Sequence, residues 1–211
     1  MLFDNLVHHS VYRGVTVPLT APAYDYLVAG NGLFKRAASP HVCAQIPVTL
    51  ARVAGLPDLD DPVHVAVRPG RIPGRLLYAV LADARQCAWR HQEQMYSFAF
   101  EGQAVRLSRP VQRAGAAQVR YAADAGDGVV CDLHSHHTMG AFFSSTDDAD
   151  EQGFRFYAVI GDVLGKPALR LRLGMYGDFL DLPATALFTG PGPFMDLFGA
   201  EEIDDGDPHD A

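Results

Sequence analysis

The sequence predicts a globular α/β or α+β protein with a mostly antiparallel or mixed β-sheet flanked by helices. Short β-type segments separated by turn residues fill most of the chain. One segment, residues 76–91, has the three- and four-residue spacing of an amphipathic helix. Hydrophobic residues make up 48% of the chain and charged residues 20%, which is the balance of a protein that folds around an apolar core.

The N-terminal region is predicted to be rich in β-strands. A strand is expected over residues 11–18, and Asn31-Gly32 is expected to form the turn of a hairpin because both residues tolerate positive φ. Two further strands are expected over residues 41–48 and 62–69. We assign residues 1–72 to this β-rich extension.

A helix over residues 76–91 follows, with Pro73 and Gly74 marking its start. Trp89 lies at its C-terminal end and is expected in the core or lining a pocket. Small and apolar residues recur along one face, namely Leu77, Val80, Leu81, Ala84, Cys87 and Ala88.

The second half of the chain alternates strands with one short helix. Residues 144–152 are predicted to start that helix, with Ser145 as its cap and Asp148 completing a capping box. A second short helix is expected from residue 192. The strands are expected at residues 95–100, 104–110, 117–122, 128–134, 154–163 and 168–177.

The formal net charge of −8 comes mostly from the acidic residues of the tail, which we assign to residues 200–211 and expect to be solvated and disordered. The remaining chain is close to neutral, so no broad basic surface for nucleic acid is predicted. No apolar run is long enough to cross a membrane, and the N-terminus lacks the pattern of a signal peptide. Three cysteines without a CxxC pair favour reduced thiols and a cytoplasmic location.

The segment from Asp132 to Asp147 carries the residues with the most chemical information. The apolar run before it predicts a strand, and residues two apart in a strand point to the same face. His134 and His136 are therefore expected to present two imidazoles side by side. Asp147 lies in the first turn of the predicted helix, from where its carboxylate can fold back over the strand end. Two imidazoles and one carboxylate leave a fourth position for water, which is the pattern of catalytic zinc.

The same residues resemble the signature of the JAMM metalloproteases. His134, Ser135 and His136, followed after seven residues by Ser144 and then by Asp147, give H-S-H-x7-S-x-x-D. This matches the family at every required position of that segment.

The family signature also contains a glutamate at the start of the hairpin behind the first helix, and Glu93 occupies that place. Glu101 is the competing candidate, but it falls in the predicted hairpin turn and is expected to point to solvent. The chain departs from the usual pattern at His137, where the family often has proline, and at Tyr96, where it often has glycine.

The resemblance covers about residues 73–177 and implies a JAB/MPN-like, cytidine deaminase-like fold for residues 73–199. It implies Zn2+ bound by His134, His136 and Asp147, in a hydrolase that cleaves an amide or isopeptide bond. Glu93 would move a proton from water to the leaving amine. Ser144 would donate a hydrogen bond to the oxyanion of the tetrahedral intermediate.

The sequence more closely resembles the PRTRC system protein A family, JAMM-related proteins encoded in mobile-element clusters beside ubiquitin-like and E1-like genes. This resemblance implies a ubiquitin-like protein or peptide as substrate and the E1-like protein of the same system as a partner. It also implies a long extension before the JAMM core, which residues 1–72 provide.

Three other functions compete with this one. Asp132-Leu-His-Ser-His resembles the opening motif of PHP-type phosphoesterases, but His209 is the only histidine after His137, too few for a multi-metal barrel. A deaminase would need H-x-E followed by P-C-x-x-C, which the chain lacks. A non-catalytic metal-binding scaffold of the same fold stays open.

Asp132 is expected either to orient an imidazole or to be a surface or edge carboxylate.

Overall fold

The structure is a computed structural model that describes residues 6–15, 17–90, 92–110, 112–114, 119–121 and 128–199. Within those residues the chain forms two main β-sheets, one longer helix and one short helix. The α+β class predicted from the sequence is confirmed. The predicted acidic tail lies outside the described residues.

The first sheet is formed by the N-terminal region and follows chain order. β1 pairs parallel with β2, and the remaining neighbours are antiparallel. The predicted hairpin at Asn31-Gly32 is confirmed, with φ of +151° at Gly32, where glycine is favoured. The strands are β1 (Val7–Val11), β2 (Tyr24–Ala29), β3 (Gly32–Ala38), β4 (Val42–Leu50) and β5 (His64–Val67).

The second sheet has the order β13-β12-β11-β10-β6-β7, with β14 paired to β12. It is mixed, because β10 and β11 run parallel while the other neighbours on this path are antiparallel. A small hairpin of β8 (Gln112–Ala114) and β9 (Val119–Tyr121) stands apart. The strands of the large sheet are β6 (Met95–Glu101), β7 (Ala104–Ser108), β10 (Val129–Ser135), β11 (Phe154–Gly161), β12 (Ala168–Met175), β13 (Asp178–Leu182) and β14 (Met195–Asp196).

The longer helix, α1 (Leu76–Ala88), packs its predicted apolar face on the large sheet. Its buried residues join one hydrophobic cluster with alternate residues of β6, β10, β11 and β12, as the two-residue repeat of a strand requires. The same cluster contains Val42 and Ile46 of the first sheet, so the two sheets share one core.

The shorter helix, α2 (Ser145–Asp150), connects the parallel strands β10 and β11. The predicted capping box exists but is shifted by one residue. The cap is Ser144, whose partner is Asp147, and not Ser145 with Asp148. The shift arises because Ser144 has the extended backbone of a cap, with φ −87° and ψ 166°, whereas Ser145 is already helical.

Three other predictions are wrong. In the described part of residues 11–18 no strand continues past Val11, and the strand lies earlier, at Val7–Val11. The segment from residue 192 forms the short strand β14 beside β12, not a helix, within its described part. Trp89 is 76% exposed because α1 ends at Ala88 and Trp89 caps it outside the apolar face.

The buried side chain of Lys35 joins the two sheets. Its ammonium donates to the carbonyl oxygens of Met175 and Tyr176, each at 3.2 Å, and forms an ion pair with Asp178. It also lies 4.5 Å from the centre of the Tyr24 ring. A buried cation with this many partners fixes the position of β3 against the turn after β12.

No helix in the described ranges combines the length and the apolar character needed to cross a membrane.

Candidate metal centre

The two predicted histidines lie at the end of β10. His134 is paired with Met95 of β6 and Val159 of β11. His136 follows the strand, and its backbone N–H donates to Ile160 at 2.7 Å, so it continues the line of β10. The two rings are buried, and their centroids are 5.1 Å apart. The structure therefore brings the two imidazoles together as the strand periodicity predicts.

The ring of His136 is oriented by the loop that follows it. Its Nδ1 lies 2.9 Å from the carbonyl oxygen of Gly140, which assigns the proton to Nδ1 and leaves Nε2 with a lone pair. Such an orienting bond is usual for a histidine that binds metal. Gly161 permits this loop, because a Cβ there would lie only 2.2 Å from the backbone of residues 140 and 141.

Asp147 reaches the site from the first turn of α2. Its Oδ2 accepts the backbone N–H and the hydroxyl of Ser144, both at 2.7 Å. Its Oδ1 lies 3.7 Å from Nε2 of His134, which is too far for a hydrogen bond. The capping box thus fixes one carboxylate oxygen and points the other toward the imidazole.

Nε2 of His134 is the atom that best tests whether a metal fits. It is buried and has no hydrogen-bond partner among the described residues. Burial lowers the pKa of His134 to about 4, so the ring is neutral and carries no positive charge toward Asp147. A buried imidazole nitrogen that faces a carboxylate oxygen without bonding to it suits a bound cation. The donors present, imidazole nitrogen and carboxylate oxygen, are ligands that zinc takes.

Glu151 is a further acidic residue at the site that the sequence analysis missed. Ligand atoms of His134, Asp147 and Glu151 lie within 4.8 Å of one another, whereas His136 is outside this group. Burial raises the pKa of Glu151 to about 8, against the opposing charge of Arg172. Arg172 donates to Oε2 of Glu151 from Nη2 at 2.6 Å and from Nε at 3.0 Å. Only the acidic character of this segment could have indicated Glu151, because the JAMM signature ends at Asp147.

Glu93 lies beside the site, two residues before the neighbouring strand β6. Gln94 and Ser135 are joined by two hydrogen bonds, of 2.9 and 3.0 Å, so the antiparallel register places Glu93 opposite His136. Its side chain is buried. Burial first, and then the charge of Asp147, raise its pKa to about 7. The competing Glu101 is exposed in the hairpin and pairs with Arg106 at 2.6 Å.

Two neighbouring polar residues have partners other than the imidazoles. Asp132 accepts from Ser97 at 2.8 Å and from Arg155 at 2.8 Å, so neither expectation for it is met: it is buried, and its described contacts do not include a histidine ring. Ser144 donates its hydroxyl to Asp147, which gives it a structural contact at the helix cap.

Residues 78–173 match a family model described as prokaryotic homologs of the JAB domain. This segment is a JAB domain, which supports the resemblance to the JAB/MPN family. No curated protein matches the chain. The JAB segment contains every predicted site residue and also Glu151 and Arg172, and it begins inside α1, after the N-terminal sheet.

The JAB domain surrounds its two imidazoles with aromatic rings. Phe142 packs on His136 with ring centroids 4.8 Å apart, and Phe143 meets His134 edge-on at 6.3 Å. Apolar rings beside the imidazoles lower the local dielectric constant, and electrostatic interactions are stronger in such surroundings. The JAB domain thus has a buried, neutral histidine pair, a carboxylate aimed at it and a second carboxylic acid alongside.

Proposed function

We propose that the chain is a zinc-dependent hydrolase that cleaves an amide or isopeptide bond. The observation that carries the proposal is the buried Nε2 of His134, which has no hydrogen-bond partner among the described residues and faces Oδ1 of Asp147 at 3.7 Å. The match of residues 78–173 to the JAB-domain model supports a metal-dependent hydrolase or a scaffold of the same fold.

His134, His136 and Asp147 are the residues that would hold the metal. Zinc, when bound at such a site, polarises a carbonyl and lowers the pKa of water toward ~7. The protein's contribution is to present two neutral imidazoles and one carboxylate that are already oriented. Gly140 fixes the ring of His136, and the Ser144 cap fixes Asp147.

Glu93 is the proposed proton carrier. A carboxyl group with a pKa of about 7 can take a proton from water and return it to a leaving amine near neutral pH. Glu93 precedes Gln94, which hydrogen-bonds Ser135 between the two histidines, and the charge of Asp147 acts on its buried carboxyl group.

Ser144 is the proposed donor to the oxyanion. Its hydroxyl now donates to Asp147, so a substrate oxygen would have to compete for that hydroxyl proton. Donors aimed at a developing oxyanion are worth ~3 kcal/mol in the transition state.

For the substrate we propose the C-terminus of a ubiquitin-like protein, or a conjugate or peptide made from it. The E1-like protein of the same system is the proposed partner. Both proposals rest on the resemblance to the PRTRC family.

The first experiment measures zinc in the purified protein by elemental analysis. We expect stoichiometric zinc in the wild type and its loss in His134→Ala. His137→Ala is the matched control, because His137 is adjacent in sequence but only half-buried, and it should keep the metal. Equal zinc in wild type and His134→Ala would refute the site.

The second experiment measures cleavage of a C-terminally extended ubiquitin-like protein. Glu93→Gln should lower the rate by roughly 10²–10⁴-fold, the usual contribution of a general acid-base group. Glu101→Gln removes the competing, exposed carboxylate and should cleave like wild type. Equal rates for Glu93→Gln and wild type would exclude Glu93 from the chemistry.

A non-catalytic metal-binding scaffold is the second candidate, and the position of Glu151 favours it. A carboxylate within 4.8 Å of the His134 and Asp147 ligand atoms could complete four protein ligands, and structural zinc sites are closed in this way. Tight zinc binding without cleavage of any substrate, unchanged by Glu93→Gln, would support the scaffold.

A further inference from the structure

Arg172 is a buried cation in the middle of β12, on the sheet face that carries His134. Its guanidinium carbon lies 3.8 Å from the centre of the Phe143 ring and 3.9 Å from that of Phe179. The two aromatic rings restrict the guanidinium, so the direction of its donors is fixed.

Among the described residues, the hydrogen bonds of this guanidinium go to α2 and its C-terminal cap. Nη1 donates to Oδ1 of Asp148 at 2.6 Å, and Nε and Nη2 both donate to Oε2 of Glu151. Asp147 lies directly before Asp148 in the chain. Asp147, whose carboxylate points at His134, therefore lies in a segment that Arg172 binds at two residues. These are Asp148, which follows Asp147, and Glu151, the C-terminal cap.

The helix α2 needs such an anchor. It has six residues and none of them is buried. A helix of this length has little stability of its own, so contacts with the rest of the protein must set its position. The Ser144 capping box fixes its N-terminal end, and Arg172 fixes the other end to β12.

We propose that Arg172 is a positioning residue for the metal centre: by binding Asp148 and Glu151 it holds α2 so that Asp147 faces His134. The proposal rests on the proposed function, because the metal gives that arrangement its purpose. A second effect follows from the same bonds. Glu151, engaged twice through Oε2, is held by Arg172 and is not left as a free competing ligand.

The experiment compares zinc dissociation constants, measured by competition with a chromophoric chelator, in full-length protein. Arg172→Met should weaken zinc binding by roughly 10–100-fold, the usual effect of losing a residue that orients metal ligands. Arg172→Lys keeps the charge and much of the buried aliphatic chain but loses the planar guanidinium. Its zinc affinity should therefore lie between those of wild type and Arg172→Met. Glu151→Gln should also weaken zinc binding. The double variant with Arg172→Met should lose less affinity than the sum of the two single losses, because both changes break the same Arg172–Glu151 contact.

Arg155→Met is the matched control. Arg155 lies on the neighbouring strand β11 and pairs with buried Asp132 at 2.8 Å, so its loss also breaks an ion pair in the same sheet. This ion pair joins β11 to β10 and does not involve α2. Arg155→Met should lower the unfolding free energy while leaving the zinc affinity close to that of wild type.

The outcomes separate this inference from the proposed function. If wild type binds no zinc, both fall. If wild type binds zinc and the two Arg172 variants bind equally well, only the positioning role is overturned. Tighter binding in Arg172→Met would also overturn it, because Glu151 would then be a ligand that Arg172 had withheld. If Arg172→Met does not fold, Arg172→Lys and Glu151→Gln decide the question, since both keep the size of the buried side chain.

Discussion

The two faces of the large sheet are both buried, yet they are built from opposite chemistry. The face toward α1 is apolar and belongs to the main hydrophobic cluster, with Phe98, Leu133 and Phe156 among its fully buried residues. The opposite face carries polar residues in one row across four neighbouring strands. That row is Ser97, Asp132, Tyr157 and Arg172, all of them buried.

The comparison indicates that the apolar face contributes most of the stability, whereas the polar face carries the candidate metal centre. Buried polar groups cost free energy unless they are paired, and the row on the polar face is paired almost completely. Asp132 binds Ser97 and Arg155, the Tyr157 hydroxyl accepts from Gly153 at 3.0 Å, and Arg172 binds α2. The atom on this face without a hydrogen-bond partner among the described residues is Nε2 of His134, the proposed metal ligand.

The largest effect on stability is expected on the apolar face. Phe156→Ala removes a ring that is fully buried in the hydrophobic cluster shared with α1 and leaves a cavity, so the unfolding free energy should fall by about 3–5 kcal/mol. Urea denaturation of the metal-free protein measures it. Tyr157→Phe, one residue along and on the polar face, removes one hydroxyl contact and should cost only about 1 kcal/mol. Similar losses in both variants would contradict the division between the faces.

A smaller loss of stability is expected from breaking the polar network away from the metal. Asp132→Asn keeps a polar group for Ser97 but removes the charged acceptor of Arg155, which should cost about 1–3 kcal/mol. Zinc affinity should be unchanged, because the described contacts of Asp132 include neither imidazole. A tenfold loss of zinc affinity, measured by chelator competition, would instead make Asp132 part of the metal site.

Glu93 gives the polar face a pH dependence that the apolar face lacks. Its folded-state pKa of about 7 lies above the ordinary 4.5, so between these values the folded protein holds a proton that the unfolded chain has released. The stability that this proton contributes is therefore lost as the pH rises from about 4.5, and the loss is complete above about 7. In metal-free protein, Glu93→Gln should therefore gain stability relative to wild type by on the order of 2 kcal/mol between about pH 5 and about pH 8.

Urea denaturation across that pH range, with chelator present, measures the difference, and the exposed Glu101→Gln is the matched control. A difference between Glu93→Gln and wild type that shrinks as the pH rises would contradict the assigned direction of the pKa.

The sequence was most informative where a local pattern determines the geometry. The two-residue repeat of a strand placed His134 and His136 side by side, and the three- and four-residue repeat identified the apolar face of α1. The position of Glu93 followed from the order of helix and hairpin.

Long-range contacts could not be predicted in this way. Glu151 reaches the site because Arg172, from a strand later in the chain, binds it, and no spacing within one segment encodes that pairing. The position of β14 beside β12 likewise depends on a neighbour that the local sequence does not specify, which is why that segment was predicted as a helix. The capping box was displaced by one residue because Ser144 and Ser145 are adjacent and both can cap.

Trp89 marks the point where the apolar pattern of α1 stops, and changing it should have the smallest effect. It follows Ala88, turned by about 100° on a helical path, and it is 76% exposed. Trp89→Ala should change the unfolding free energy by no more than about 0.5 kcal/mol, as is usual for exposed positions. Leu81→Ala, on the buried face of the same helix, should cost about 2–5 kcal/mol in the same urea titration. Comparable losses of unfolding free energy in the two variants would contradict this prediction. They would mean that the Trp89 ring packs on the protein in solution and that the buried face of α1 extends past Ala88.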